Sequence, residues 1–275
     1  MRFLSSHNDP DFKRDALEIW KNELTTYNKH YICNSCGTEL SQSETCCGPI
    51  LKYIRAGGSK ELTDIVEYFI EDILYIRGLL KAGKEKHHNL NGSYLRKLRE
   101  VESPGRLELS VIASIDGVSM VGNTKKKLWP ITMMLIDLPT AEMQKAPNLV
   151  LQGLVEGTVN PSTAFWNAIL PYIYTDVEHD VGELEGKEFR FNIVSWTADQ
   201  PAKRSLFGFK GCNSEGSCFF GMCSGTHHKT MARARNVVRN GHLTDEDAEN
   251  GAHGFGSVPP KVVSFVYPYD TIVDL

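Results

Sequence analysis

Apolar positions along this chain of 275 residues follow two periods. Near the start, Leu17, Trp20 and Leu24 recur at helical spacing among charged residues, which predicts a short amphipathic helix. From Ser59 to Lys81 the spacing predicts a longer one. Leu62, Ile65, Val66, Phe69, Ile70, Ile73, Leu74 and Ile76 form a wide stripe, and Glu61, Asp64, Glu67, Glu71 and Asp72 line the other side. Gly57–Gly58 breaks the chain just before it. Past Ser103-Pro-Gly105 the pattern changes to short runs rich in β-branched residues. Leu107–Ile115 is nearly continuous in Leu, Val, Ile and Ala and reads as a strand buried on both faces. A second strand is expected over Leu128–Leu138, with Pro130 at a strand start or bulge. A third follows over Asn148–Val155. Pro161 suits the first turn of a helix over Thr163–Tyr174. Glu183–Gly186 reads as a polar turn, Glu188–Trp196 as a fourth strand, and Ala202–Phe207 as a last helix.

The order strand, strand, strand, helix, strand, helix has one simple solution. Three strands make a meander, the helix crosses over, and the fourth strand returns beside the first and parallel to it. Asp116 follows the first strand and Asp199 follows the fourth, so the two acids are expected on one edge of the sheet. A carboxylate at the end of a buried strand needs a partner, and a divalent metal is one. Asp also caps turns, which is the plainer role for either residue alone. This layout is that of ribonuclease H-like domains, where paired carboxylates hold two metals that act on a phosphodiester. The fold expected is therefore α/β: a ribonuclease H-like mixed sheet with flanking helices, preceded by a helical and zinc-ribbon-like N-terminal region. The segments are 1–57 (zinc-ribbon-like), 58–104 (helix and basic linker) and 105–275 (catalytic domain).

Composition narrows the chemistry. The formal charge of −4 rules out a globally basic protein, so any nucleic-acid surface is local. No apolar run reaches transmembrane length and none follows Met1, so neither a membrane span nor a secretory signal is expected. The seven cysteines cluster at 33–47 and 212–223. Without a signal peptide, clustering favours metal ligation or free thiols over disulfides. Cys33-x2-Cys36 is half of a zinc knuckle, and Cys46 with Cys47 offers the rest of a structural site. Cys212, Cys218 and Cys223, with His227 or His228, form a second, irregular set. Arg77–Arg99 is the most basic stretch, readable as a phosphate-binding arm or as a solvated linker. His227–Arg239 is a further basic stretch with the same two readings.

Six short motifs occur in order between Leu107 and Cys223: Ser114-Ile-Asp-Gly-Val118, Lys126-Lys-Leu-Trp-Pro-Ile131, Leu138-Pro139, Ala146-Pro-Asn-Leu-Val150, Ala198-Asp-Gln-Pro-Ala-Lys203 and Phe209-Lys-Gly211. Together they resemble the catalytic region of CACTA-type (En/Spm-type) DDE transposases. The resemblance implies Asp116 and Asp199 as catalytic, metal-binding carboxylates, with Mg²⁺ or Mn²⁺ as the catalytic cofactor and Zn²⁺ in a structural role. It implies DNA as the partner, a homo-oligomer, a nuclear location, and cleavage and strand transfer of DNA. Lys97, Arg99, Lys125, Lys126, Lys127, Lys203, Arg204 and Lys210 are the implied DNA contacts. Two departures stand out. Cys212 replaces the usual His, and Cys218-x4-Cys223 replaces a C-x2-C pair. The third acidic residue, which relatives carry on a later helix, is expected to be missing, with Asp270 or Asp274 as the alternative, so the chain reads as an incomplete catalytic region. The rival expectations are a transposase-derived binding module without turnover and an ordinary zinc-stabilised globular protein.

Overall fold

A computed structural model describes residues 27–84, 88, 106–119, 126–178, 181–184, 186–208, 221–222 and 237–238. The expected helix at Leu17–Leu24, nearly all of the basic stretch beyond Lys84, and nearly all residues past Gly208 lie outside these. The described chain is mixed α/β, with helices flanking a nine-stranded sheet. Its strands are β1 (Asn28–Cys33), β2 (Glu39–Leu40), β3 (Ile50–Arg55), β4 (Arg106–Ile115), β5 (Val118–Ser119), β6 (Lys127–Leu135), β7 (Leu149–Gly157), β8 (Val181–Leu184) and β9 (Lys187–Ala198). They lie side by side in the order β2-β1-β3-β7-β6-β4-β9-β8, with β5 pairing on β6. β10 (Gly221–Met222) and β11 (Val237–Val238) form a separate small ladder.

The centre of the sheet has the connectivity that the apolar pattern predicts. β4, β6 and β7 form an antiparallel meander, and β9 returns parallel to β4 over its whole length, from Arg106 against Glu188 to Ile115 against Ala198. β4 carries Leu109, Val111 and Ala113 at zero exposure, as a strand between two others requires. Pro130 sits inside β6 rather than at its start. It pairs with Leu154 of β7, and on the other side it falls between the last β4 partner, Ile131, and the β5 partner, Leu128. Its missing N–H therefore interrupts no ladder on that side. β6 ends at Leu135, three residues before the expected end. A turn then buries Asp137, and α2 (Thr140–Met143) follows after Pro139.

Two features depart from the sequence reading. The polar stretch expected as a turn over 183–186 begins as strand, with Glu183 opposite Glu188 and Leu184 opposite Lys187 in a tight β8–β9 hairpin, and Gly186 takes the turn. The cysteine-bearing N-terminal strands also join the main sheet. β3 pairs antiparallel with β7, and Ile32, Leu51 and Tyr53 belong to the same hydrophobic core as β4 and β9.

α1 spans Ser59–Lys81, the bounds its apolar stripe predicts, and buries Leu62, Ile65, Val66 and Ile73. α3 (Thr163–Glu178) packs on β9 and β1, burying Phe165, Trp166, Ile169, Leu170 and Ile173. α4 (Gln200–Phe207) opens with Pro201 in its first turn and ends at Gly208 in the left-handed region, φ 70°. No described helix is long and apolar enough to cross a membrane.

Candidate functional site

Strand direction decides which ends meet. β1, β7, β4 and β9 run one way and β3 and β6 the other. The ends at Cys33, Gly157, Ile115 and Ala198 and the starts at Ile50 and Lys127 therefore share one rim. Asp116 and Asp199 each follow the last paired residue, Ile115 and Ala198, of neighbouring parallel strands. Adjacent strands lie about 4.8 Å apart, so the two acids emerge side by side. Both are exposed. Asp116 leads into Gly117, which lies against the Trp129 indole. A Cβ there would approach Trp129 Nε1 to 2.8 Å, so the turn packs this closely only with glycine. Asp199 caps α4, its Oδ1 accepting from the Ala202 N–H at 2.8 Å. One carboxylate oxygen of Asp199 is thus engaged, and the other lies outside that bond.

A cationic group borders the pair on the same rim. Glu156 of β7 binds Lys52 of β3 and, at 2.9 Å, Lys126. Burial pushes the Glu156 carboxyl up, but hydrogen bonds from Lys52 and Lys126 outweigh it and hold the group below the usual carboxylate range. Lys127 donates to Asn160 Oδ1 at 2.9 Å. Of the lysines expected at DNA, Lys126 and Lys127 thus stand on the rim with their ammonium groups already partnered. Lys203 is different. It lies on the same face of α4 as Leu206 and Phe207 and is only 1% exposed, so it cannot reach a DNA backbone. Arg204 is half-buried. Arg77, read from sequence as part of a basic arm, is bound to the buried Asp137. Lys97, Arg99, Lys125 and Lys210 lie outside the described residues, as do Cys212, Cys218, Cys223, His227, His228, Asp270 and Asp274. Lys52 and Glu156 were not singled out in the sequence, where an ordinary strand pattern hides them.

The four N-terminal cysteines converge on the same rim at β1, which lies four strands from β4 in the sheet order. Cys33 closes β1. A tight turn through Cys36 follows, closed by Gly37 N–H to Cys33 O at 2.8 Å and Cys33 N–H to Thr38 O at 2.9 Å. Cys46 and Cys47 lead into β3. The sulfurs lie 3.7 Å (Cys33–Cys47), 3.5 Å (Cys36–Cys46) and 3.9 Å (Cys46–Cys47) apart, and all four fall within 4.8 Å of one another. These are free thiols, not disulfides. A tetrahedral ion with metal–sulfur bonds of about 2.3 Å sets its sulfurs about 3.8 Å apart, so the cluster fits one ion of that kind. The thiols also titrate apart. Hydrogen bonds from the Thr38 hydroxyl and N–H hold Cys36 down to about 6, while Cys36 and then Cys33 push Cys47 up to about 12. Four thiolates this close repel one another, and a dication is the group that relieves this.

The fold and this rim define a mixed α/β protein with a cluster of four cysteines that could hold a metal ion and with two exposed aspartates at the ends of neighbouring parallel strands. The chain belongs to the family described as "Protein of unknown function (DUF1258)", which matches residues 15–265. No curated protein matches it.

Proposed function

We propose that this chain is a DNA transposase-type protein with a ribonuclease H-like core, cutting and joining DNA phosphodiesters at Asp116 and Asp199. One observation carries the reading. The parallel register of β4 and β9 ends both strands in an aspartate at the same level of the same rim. The meander β4-β6-β7 followed by parallel β9 supports it, as does the resemblance of the six motifs to those of CACTA-type transposases. Mg²⁺ or Mn²⁺ held by the pair would activate the attacking oxygen and stabilise the leaving one. Asp116, which follows β4 directly, and the Asp199 oxygen not engaged in capping α4 are the donors this chain offers. Zn²⁺ is the ion proposed for Cys33, Cys36, Cys46 and Cys47, in a structural role. DNA is the proposed partner, in a homo-oligomer and in the nucleus, with Lys126 and Lys127 flanking the carboxylates.

A second reading, a transposase-derived DNA- or protein-binding module without turnover, is favoured by one feature. Among the described residues no third acidic group converges on Asp116 and Asp199. Without a third ligand the attacking oxygen is poorly aligned, and an ångström of misplacement costs on the order of a hundredfold in rate.

Plasmid nicking with Mn²⁺, run beside DNA binding at two salt concentrations, separates the readings. Nicking abolished by Asp116→Ala and by Asp199→Ala, with binding intact, supports the enzyme and requires a third ligand such as Asp270 or Asp274. Salt-sensitive binding without nicking supports the module. Nicking that survives both substitutions overturns the carboxylate assignment.

A further inference from the structure

Asn34 sits between two of the clustered cysteines and is bonded on every side. Its N–H donates to Pro49 O at 2.8 Å, which ties the Cys33–Cys36 turn to the strand entry after Cys46 and Cys47. Its Nδ2 donates to Asn160 O at 3.1 Å, and its Oδ1 accepts from the Ser162 N–H at 2.7 Å. Its carbonyl accepts from the Ser162 hydroxyl. That hydroxyl also caps α3, accepting from the Phe165 N–H at 3.2 Å. The neighbouring turn touches α3 as well. Gly37 has φ 75°, and a Cβ on it would come within 2.6 Å of Ala164 O. The cysteine turn is therefore seated directly on the first turn of α3.

The same turn of α3 grips α4. Thr163 Oγ1 donates to Ser205 O at 2.6 Å, and Trp166 Nε1 donates to Ser205 Oγ at 3.0 Å. Ser205 Oγ in turn donates to Ala202 O at 2.9 Å. Ala202 is the residue whose N–H is held by Asp199 Oδ1, and the Lys203 N–H donates to Asp199 O at 2.9 Å. A continuous series of hydrogen bonds thus runs from the cysteine cluster through Asn34, Ser162, α3 and Ser205 to Asp199.

We propose that the ion held by Cys33, Cys36, Cys46 and Cys47 positions Asp199, through Asn34 and Ser205 as positioning residues. This rests on the reading of Asp116 and Asp199 as metal-binding carboxylates, and it adds a role for the thiolate site beyond local stability. The ion fixes the Cys33–Cys36 turn, the turn fixes the start of α3, and α3 fixes the helix that Asp199 caps. With the ion gone, the turn keeps the Asn34–Pro49 bond and the Cys33–Ile50 pairing but loses the ion's cross-link to the Cys46–Cys47 loop. α4 then loosens although it touches none of the cysteines. Coupling of this kind, carried through packed and hydrogen-bonded groups, changes local opening by on the order of tenfold.

Hydrogen–deuterium exchange on the full chain tests this, comparing the zinc-loaded protein, the same protein after removal of zinc by a thiol-competing chelator, and the zinc-loaded Asn34→Ala and Ser205→Ala variants. Exchange at the amides of residues 202–207 is expected to rise on the order of tenfold on zinc removal, with α1 unchanged. Asn34→Ala is expected to give the same rise with zinc still bound, which keeps the test valid where chelation unfolds the whole chain. In Ser205→Ala, α4 exchange is high already and no longer responds to zinc. Unchanged α4 exchange in zinc-loaded Asn34→Ala overturns the proposal. Mn²⁺ binding to the zinc-loaded parent, Asp116→Asn and Asp199→Asn separates the two readings. α4 exchange that responds while Mn²⁺ binding ignores Asp116→Asn and Asp199→Asn supports the hydrogen-bonded link and overturns the catalytic reading of the carboxylates.

Discussion

Asp137 has no exposed surface, yet it carries a carboxylate. Arg77 Nε donates to its Oδ1 at 3.0 Å, and the Ser110 N–H donates to its Oδ2 at 2.7 Å. Arg77 also donates to the Glu108 carbonyl. The pair fastens α1 to β4 and to the turn after β6. Removing one partner leaves the other charge buried and unpaired, which costs about 3–5 kcal/mol, whereas replacing both with apolar groups is often neutral. Urea unfolding should therefore show Arg77→Met as severely destabilised and Arg77→Met/Asp137→Leu as largely recovered. A single variant within about 1 kcal/mol of the parent, well short of that cost, would show that the pair contributes little. At this scale the sequence was a partial guide. Asp116 and Asp199 could be found because each ends a strongly apolar run. Arg77 could not be told from its basic neighbours, because its partner is 60 residues away. Lys203 misleads for a different reason. Its motif suggests a phosphate contact, but helix phase puts it with Leu206 and Phe207, facing inward.

Among elements, those built from local periodicity were readable, and those that depend on distant pairing were not. The α1 stripe gave both ends of the helix because Gly58 breaks the chain before Ser59 and the apolar positions stop near Lys81. The β4–β9 pairing followed from the order of elements and the handedness of crossovers. Nothing local indicates that β3 pairs with β7 across about a hundred residues, since register between distant strands is set by packing. That pairing brings Lys52 beside Glu156 and creates a testable acid sensitivity. The folded-state pKa of Glu156 lies below its unfolded value, about 4.3. Its ion pairs therefore stabilise the fold fully above that pH, and the contribution disappears as pH falls through the folded value. Urea midpoints measured from pH 5 down to 3 should fall more steeply for the parent than for Glu156→Gln. Parallel curves would mean that Lys52 and Lys126 do not stabilise the carboxylate.

For the whole molecule, one rim carries both candidate sites, the cysteine cluster at β1 and the carboxylates at β4 and β9. The ribbon strands are part of the sheet that presents Asp116 and Asp199, so the N-terminal segment shares the core of the segment that follows it. With a formal charge of −4, attraction to DNA must come from local cations, and those described on this rim are shared with Glu156 and Asn160. The account stands on the carboxylate pair. Its most direct test is a Mn²⁺ titration of the zinc-loaded full chain, followed by electron paramagnetic resonance, beside Asp116→Asn and Asp199→Asn. Mn²⁺ prefers oxygen ligands, so the thiolates do not compete for it. The account predicts saturable Mn²⁺ binding that either substitution removes. Equal binding in all three proteins, or none in the parent, would contradict it.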